Sequence, residues 1–169
     1  LSELGAKAVL ALVVPEKAVA YQILALNIEK AHNLRERAQE VVRMYRDLAA
    51  SSDARETEMA LEFEEPALAT LGFAYEKRPR LSGGAYHPIL RKVDAFLDRK
   101  LSAAAAERER RAEVVLAFDE AVTAAVARLK ERGFDSPYLR NFVVARVNPL
   151  RFIQGDPPGF DELFAQMTR

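Results

Sequence analysis

The chain has 169 residues, enough for one ordinary domain or for a small domain with a helical extension. Its 25 basic and 25 acidic residues balance, so any attraction to nucleic acid or to a membrane surface must come from a local patch. There is no cysteine, which excludes disulfides and thiolate chemistry, and no run of about 18 apolar residues that could span a bilayer. We expect a cytoplasmic protein with no membrane partner.

The first segments of the chain combine strand and helix character. Residues 9–14 form a continuous apolar run rich in β-branched side chains, which predicts a strand covered on both faces. Residues 16–30 are apolar almost all round and predict a buried helix. Asn33, with Glu36 three residues later, predicts a capping box at the start of the next helix. The sequence begins in mid-pattern at Leu1, and we expect natural sequence upstream of it.

The remainder of the chain predicts helices separated by turns. Residues 53–65 carry six acidic side chains against Arg55 alone, and residues 51–65 predict a linker or a surface helix. A domain boundary near it separates residues 1–50 from a helical domain at residues 66–169. Pro88 is predicted to open one helix, and Ser102 to cap the longest one. The predicted helices cover residues 66–76, 88–98, 103–132, 137–147 and 160–167. The predicted fold class is mainly α.

One face of the longest predicted helix carries apolar side chains at alternating spacings of three and four residues. Such a seam faces another helix, either within the helical domain or, as an alternative, in a second copy of the chain. A homodimer through this helix would use Val115, Phe118, Val122, Ala125 and Leu129.

Residues 77–100 are the most basic part of the chain, with seven cations against Asp94 and Asp98. Guanidinium groups beside Ser82 and the paired glycines that follow it could bind a phosphate, since glycine lets backbone N–H groups approach an anion. The alternative is that these cations pair within the chain with the acidic residues 53–65. The candidate phosphate or DNA contacts are Lys77, Arg78, Arg80, Arg91 and Lys92.

Common catalytic and metal-binding motifs are missing from the sequence. It has no HExxH, no Walker loop and no GxSxG. Its two histidines, His32 and His87, lie in different segments and have no carboxylate partners at a recognisable metal-binding spacing. We therefore predict no catalytic residue and no metal site from the residues alone.

Four aromatic side chains could be considered as stacking platforms for nucleic-acid bases. Single aromatics at helix ends belong far more often to a hydrophobic core, and core positions are what we predict for them. They are Tyr75, Tyr86, Phe142 and Phe152.

The stretch LGAKAVLALVVPEKAVAYQILALNIEKAHNLRERAQEV, residues 4–41, resembles a known family. It is similar to the second half of the N-terminal domain of partition proteins of the ParB/Spo0J class, which shares its fold with sulfiredoxin. In that family a helix carries a Glu-Asn-x-x-Arg motif that binds phosphate. Asn27 matches its asparagine, Lys30 stands at its arginine, and Leu26 occupies the place of its glutamate.

The resemblance implies that residues 1–50 are the C-terminal half of a ParB-like nucleotide-binding domain, a remnant of an α+β fold followed by a multi-helix domain. It further implies a nucleotide-responsive, DNA-binding or partition-type module that uses CTP with Mg²⁺ and is nucleoid-associated. The nucleotide or phosphate site would comprise Asn27, Lys30, Asn33 and Arg35. Leu26 counts against the metal ion, because the glutamate it replaces assists with the metal in nucleotide-binding members.

Other hypotheses remain open at this point. From the residues alone, Asn27 can equally cap the end of its own helix instead of meeting an anion. The chain can also be a non-catalytic helical interaction or dimerisation module with a degenerate nucleotide pocket. A third possibility, implied by the resemblance, is a ParB-fold enzyme that transfers phosphate or cleaves nucleic acid, or that has weak NTPase activity.

Overall fold

The computed structural model describes residues 33–169 and, before them, only Val19. The described part is mainly α, as predicted, and its only β-type pairing is an isolated bridge. The predicted strand at residues 9–14, the helix at residues 16–30, and the residues Asn27, Lys30 and His32 lie outside the described residues. The helices are α1 Leu34–Ser51, α2 Ala60–Phe63, α3 Pro66–Lys77, α4 Gly83–Val93, α5 Leu101–Glu131, α6 Leu139–Val147 and α7 Phe160–Thr168, with 3-10 turns at Glu56–Met59 and Pro149–Arg151.

Helix α1 begins where the sequence predicts it. The Asn33 side chain accepts from the Glu36 backbone N–H at 3.1 Å, and the Glu36 carboxylate accepts from the Asn33 N–H at 3.3 Å, which completes the capping box. The buried face of α1, which includes Ala38, Val41 and Tyr45, packs against α3. Helices α1 and α3 therefore pack directly on each other across the predicted boundary at residues 51–65.

Helix α3 is the central helix of the core. Pro66 stands in its first turn, where the missing N–H costs nothing, and every residue from 67 to 75 is buried. Gly72 lets α1 approach closely, because a Cβ at this position would overlap the Ala38 carbonyl oxygen and lie 2.7 Å from the Val42 Cβ. The close approach of α1 and α3 thus depends on a residue without a side chain.

Helix α4 begins five residues before the predicted position. Pro88 was expected to open this helix, but the helix starts at Gly83 and Pro88 lies inside it. There Pro88 removes a single intrahelical hydrogen bond, to the carbonyl of Gly84. Burial of Tyr86, Ile89 and Leu90 on one face outweighs that loss.

The start of α5 also differs from the prediction. Ser102 was predicted as its cap, but Lys100 is the N-cap and the helix begins at Leu101. An antiparallel bridge between Arg55 and Lys100, together with a hydrogen bond from the Leu101 N–H to the Ala54 carbonyl at 2.9 Å, fixes the chain at this point. A contact between distant residues has overridden the local preference of serine for a capping position.

The apolar seam of α5 is largely internal. Val115, Phe118 and Val122 are buried within the molecule, and the Phe118 ring contacts Tyr86 of α4 and Phe164 of α7 at centroid distances of 5.7 and 5.6 Å. This part of the seam therefore follows the first of the two predicted alternatives, packing within the helical domain.

Among residues 33–169 there is no helix that combines the length and the apolar character needed to cross a membrane.

Candidate functional site

A groove of about 560 Å³ lies where the starts of three helices, α1, α4 and α6, meet. Two of its lining side chains are cationic, Arg35 and Arg140, and none is acidic. The full lining is Asn33, Leu34, Arg35, Tyr75, Leu81, Ser82, Gly83, Gly84, Ala85, Pro137, Arg140 and Asn141. Because the N-terminal end of a helix carries positive partial charge, this arrangement favours an anion in the groove.

The α1 wall of the groove consists of a helix start whose N-cap side chain is already hydrogen-bonded, followed by an exposed cation. The side-chain oxygen of Asn33 is already engaged by the capping box. Arg35 is exposed in the first turn of α1. It is close enough to Tyr75 in the groove for its positive charge to act on the pKa of the Tyr75 hydroxyl, in the lowering direction. Arg35 is therefore the side chain of α1 that is placed to meet an anion.

The α4 wall leaves the helix start open. Ser82 is the N-cap residue but its side chain makes no capping hydrogen bond, so the first turn keeps backbone N–H groups without an intrahelical acceptor. A Cβ on Gly83 would overlap the Tyr75 hydroxyl, whereas Gly84 faces open space. Burial raises the pKa of Tyr75, while the Gly83 backbone N–H and Arg35 act in the opposite direction. The groove floor is thus a protonated tyrosine hydroxyl beside a glycine backbone.

The α6 wall supplies a second helix start and a fixed cation. Tyr138, the N-cap residue, makes no side-chain capping bond, but Ser136 accepts from the Tyr138 N–H at 3.2 Å through its hydroxyl and from the Leu139 N–H at 3.3 Å through its carbonyl. The guanidinium of Arg140 is hydrogen-bonded to α5. It donates to the Thr123 hydroxyl at 3.0 Å and to the Asp119 carboxylate. The Asp119 contact offsets part of its charge, but it also fixes the direction of the side chain.

Asp119 is the centre of the polar cluster behind the groove. Its carboxylate accepts from the Tyr86 hydroxyl, from Arg140, and from Arg78 at 2.8 Å. Burial, followed by the hydrogen bond to Asp119, raises the pKa of Tyr86. The Tyr86 hydroxyl therefore remains a donor, and the cluster ties α4, α5 and α6 together at the base of the groove.

Two of the residues predicted for the phosphate site, Asn33 and Arg35, line this groove. The structure brings Asn33 and Arg35 together with the Ser82–Gly83–Gly84 stretch, although the two segments were predicted as separate candidates. Sequence reasoning missed Arg140 and Asn141, because nothing in the spacing of residues so far along the chain indicates that α6 packs beside α4.

The predicted DNA contacts do not form one patch. Lys77 pairs with Glu113, and Arg78 pairs with Asp119 and Glu120, all at the C-terminal end of α3. Arg91 pairs at 2.8 Å with Glu65, which precedes α3 at its other end, about 18 Å away for a helix of this length.

The remaining basic side chains of residues 77–100 behave in two ways. Arg80 and Lys92 are exposed and have no ion-pair partner among the described residues. Lys100 pairs with Asp53 at 2.8 Å, as Arg91 does with Glu65, so these two cations follow the predicted pairing with residues 53–65. Lys77 and Arg78 pair with α5 instead.

A second polar cluster is sealed in the core and was not predicted. Arg108 of α5 donates to Glu56 at 2.7 Å and to Asp94 at 2.6 Å, and none of these three side chains is exposed. The buried hydroxyl of Tyr45 has no hydrogen-bond partner among the described residues, and burial followed by the charge of Glu56 raises its pKa. Because solvent does not reach the cluster, we assign it a role in holding the fold.

The aromatic candidates divide into two pairs. Tyr75 and Tyr86 are buried, as predicted. Phe142 and Phe152 are 61% and 76% exposed, so the prediction that they belong to the core is wrong. Phe142 lies in α6, and Phe152 ends the 3-10 turn Pro149–Arg151 that follows this helix.

In residues 33–169, no three histidine, aspartate or glutamate side chains are grouped so that they could hold a metal ion. Comparison of the chain with protein-family models, with curated proteins and with solved structures finds no match.

Proposed function

We propose that the chain is a binding module for a phosphate-bearing ligand, and that the groove between α1, α4 and α6 holds the phosphate. The observation that carries the proposal is the meeting of Arg35 and Arg140 with two helix starts whose N-cap side chains make no capping bond, in a lining that contains no acidic side chain. Phosphate is the biological anion that suits this combination, since it accepts hydrogen bonds from backbone N–H groups and from guanidinium groups together.

The expected affinity is moderate. A hydrogen bond to a charged group contributes about 1.5–3 kcal/mol, and the groove offers two such cations. After the cost of association, binding of roughly micromolar to millimolar strength is expected for a small ligand. The groove is therefore suited to a nucleotide, or to a polymer that adds further contacts.

A nucleotide-responsive, partition-type role with CTP is a specific form of this proposal. Asn33 and Arg35, two of the four residues that the ParB resemblance implies for phosphate binding, line the groove, which supports it. The lining offers no carboxylate for direct ligation of Mg²⁺, so the proposal includes no step that depends on a metal ion. It also offers no histidine or carboxylate as a general base, which favours binding over turnover.

Isothermal titration of the full chain with CTP, ATP and pyrophosphate, each with and without Mg²⁺, tests the proposal. Gly84 provides a matched pair of variants, because its position faces open space. Gly84→Ala should leave affinity unchanged, whereas Gly84→Asp, which suits a helix start but repels an anion, should weaken binding by about tenfold or more.

A second pair of variants lies on α1. Arg35→Ala should weaken binding, and Arg43→Ala, which removes an exposed arginine of the same helix outside the groove, should not. If none of the three ligands binds, or if Gly84→Asp and Gly84→Ala bind equally well, the groove is not a phosphate site.

A further inference from the structure

The exposed apolar side chains of the described molecule are concentrated in one segment. Of the seven large apolar side chains that are exposed in residues 33–169, six lie between residues 134 and 153. Four of these six are aromatic: Phe134, Tyr138, Phe142 and Phe152. Single exposed apolar residues are ordinary, but a concentration of aromatic rings marks a contact surface.

Helix α6 shows how these rings are presented. Its inner face buries Leu139 and Val144. Its outer face carries Tyr138, 72% exposed, Phe142, 61% exposed, and Arg146, each four residues apart and therefore in line along the helix. Asn141, three residues after Tyr138, lines the groove. The aromatic face thus begins at the edge of the proposed phosphate site.

The segment of the chain that carries this face has a net positive charge. Residues 128–151 contain six basic and two acidic side chains. Arg132, Arg146 and Arg151 are exposed, and their guanidinium groups form no ion pair or hydrogen bond with any described residue. On α5, by contrast, Arg110 and Arg111 are each paired with a carboxylate. A partner of this face must therefore supply negative charge as well as surface for the rings.

We propose that this face binds single-stranded nucleic acid. Unpaired bases would stack on the rings of Tyr138 and Phe142, and the backbone phosphates would meet Arg146 and the groove. Stacking on exposed aromatics, combined with a cationic track for the backbone, is the way in which proteins hold single strands without base-specific contacts. This inference rests on the proposed function, because it assigns the polymer whose phosphate occupies the groove.

Duplex nucleic acid, an anionic membrane and a protein fit these observations less well. A duplex keeps its bases stacked on one another, so exposed rings gain nothing from it. Binding to a membrane or to an apolar protein surface would depend on the apolar area of the side chains that is buried, and not on the flat face of an aromatic ring. Replacing a ring by leucine separates these cases, since leucine keeps the apolar bulk and loses the flat π-face.

Fluorescence anisotropy of a labelled oligothymidine of about 15 nucleotides, titrated with the full chain at low salt, tests the inference. Tyr138→Leu and Phe142→Leu should each weaken binding by about tenfold, as expected for the loss of one stacked base. Arg146→Gln should lower the slope of log affinity against log salt by about one. Leu61→Ala, which removes another exposed apolar side chain, is the matched control and should change nothing.

Three results would overturn the inference: no binding of the oligonucleotide, equal binding of a duplex of the same length, or full affinity in both leucine variants. Binding to phosphatidylserine vesicles that survives the leucine substitutions, without oligonucleotide binding, would assign the face to a membrane surface instead. Titration with pyrophosphate distinguishes the two proposals. If pyrophosphate binds and the oligonucleotide does not, the phosphate groove stands and the nucleic-acid assignment fails, whereas if neither the oligonucleotide nor any of CTP, ATP and pyrophosphate binds, both fail.

Discussion

Arg108 and Glu56 form an ion pair that is fully enclosed by the protein, with the guanidinium Nε donating to the carboxylate Oε1 at 2.7 Å. The second oxygen of Glu56 accepts from the Leu97 backbone N–H at 2.8 Å, and Arg108 also reaches the Ala95 carbonyl. Burial works to lower the pKa of Arg108, but the charges of Asp94 and Glu56 outweigh it and raise that pKa overall. The pair therefore ties the acidic segment before α2 to the middle of α5.

Removal of this guanidinium should be costly for the fold. Arg108→Met leaves Glu56 buried without a cation and leaves Asp94 with Arg111 as its remaining guanidinium partner, which should lower the free energy of unfolding by about 3–5 kcal/mol. The exposed ion pairs of Arg110 on the same helix make Arg110→Met the control, with an expected loss below about 1 kcal/mol. Urea unfolding measures the free energy of unfolding of both variants. An equal loss of stability in the two would contradict the distinction between buried and exposed ion pairs.

The contact between α1 and α3 should be sensitive to a single methyl group. In Gly72→Ala the new Cβ meets the Ala38 carbonyl and Val42, so the helices must separate, at a cost of about 1–3 kcal/mol. Gly84→Ala places the same methyl group in open space and should be neutral or slightly stabilising. A thermal unfolding curve of Gly72→Ala that overlays the wild-type curve would show that α1 and α3 accommodate the added methyl group without loss of stability.

Gly83 and Tyr75 should be energetically coupled. Gly83→Ala should reduce stability, because its Cβ would overlap the Tyr75 hydroxyl, and Tyr75→Phe should recover part of the loss by removing that oxygen. A double-mutant cycle in urea measures the coupling, which is expected to be about 0.5–3 kcal/mol for residues in contact. Strictly additive effects would mean that the hydroxyl moves aside without cost.

Acid should weaken the fold partly through Glu107. Its hydrogen bond from Arg110, aided by Arg111, lowers the pKa of the Glu107 carboxyl to about 2. Since the unfolded value is about 4.3, the ionised carboxylate stabilises the fold above that pH, and this contribution is lost as the pH falls toward 2. The free energy of unfolding should therefore fall less steeply between about pH 5 and pH 2 in Glu107→Gln than in wild type. A slope in Glu107→Gln equal to that of wild type would contradict this assignment.

Signals that act within a few residues were readable from the sequence. The capping box of Asn33 and Glu36 and the helix start at Pro66 are satisfied by neighbouring atoms, and both were predicted correctly. The predictions that failed depend on distant residues. Pro88 is accommodated inside α4 because one face of that helix is buried, and Ser102 loses the capping position because Lys100 pairs with Arg55.

The distinction between local signals and contacts with distant residues applies to the groove as well. Residue type alone indicated the Ser82–Gly83–Gly84 stretch as a phosphate site, and the ParB resemblance implied Arg35; both line the groove. Arg140 could not be proposed, because its position depends on Asp119 and Thr123 of α5. The burial of Glu56 within an acidic segment was equally hidden, since its partner Arg108 is 52 residues away along the chain.

The bridge between Arg55 and Lys100 has a consequence for how the chain folds. The Glu56 N–H donates to the Arg99 carbonyl at 3.0 Å, so this bridge and its neighbours close a loop that contains α2, α3 and α4. Closing a long loop costs entropy before its contacts form, whereas a helix gains contacts within each turn. The loop is therefore expected to close late, and substitutions at Arg108 should accelerate unfolding while leaving the folding rate nearly unchanged, which stopped-flow kinetics can measure. A folding rate that falls as much as the unfolding rate rises would place the closure early instead.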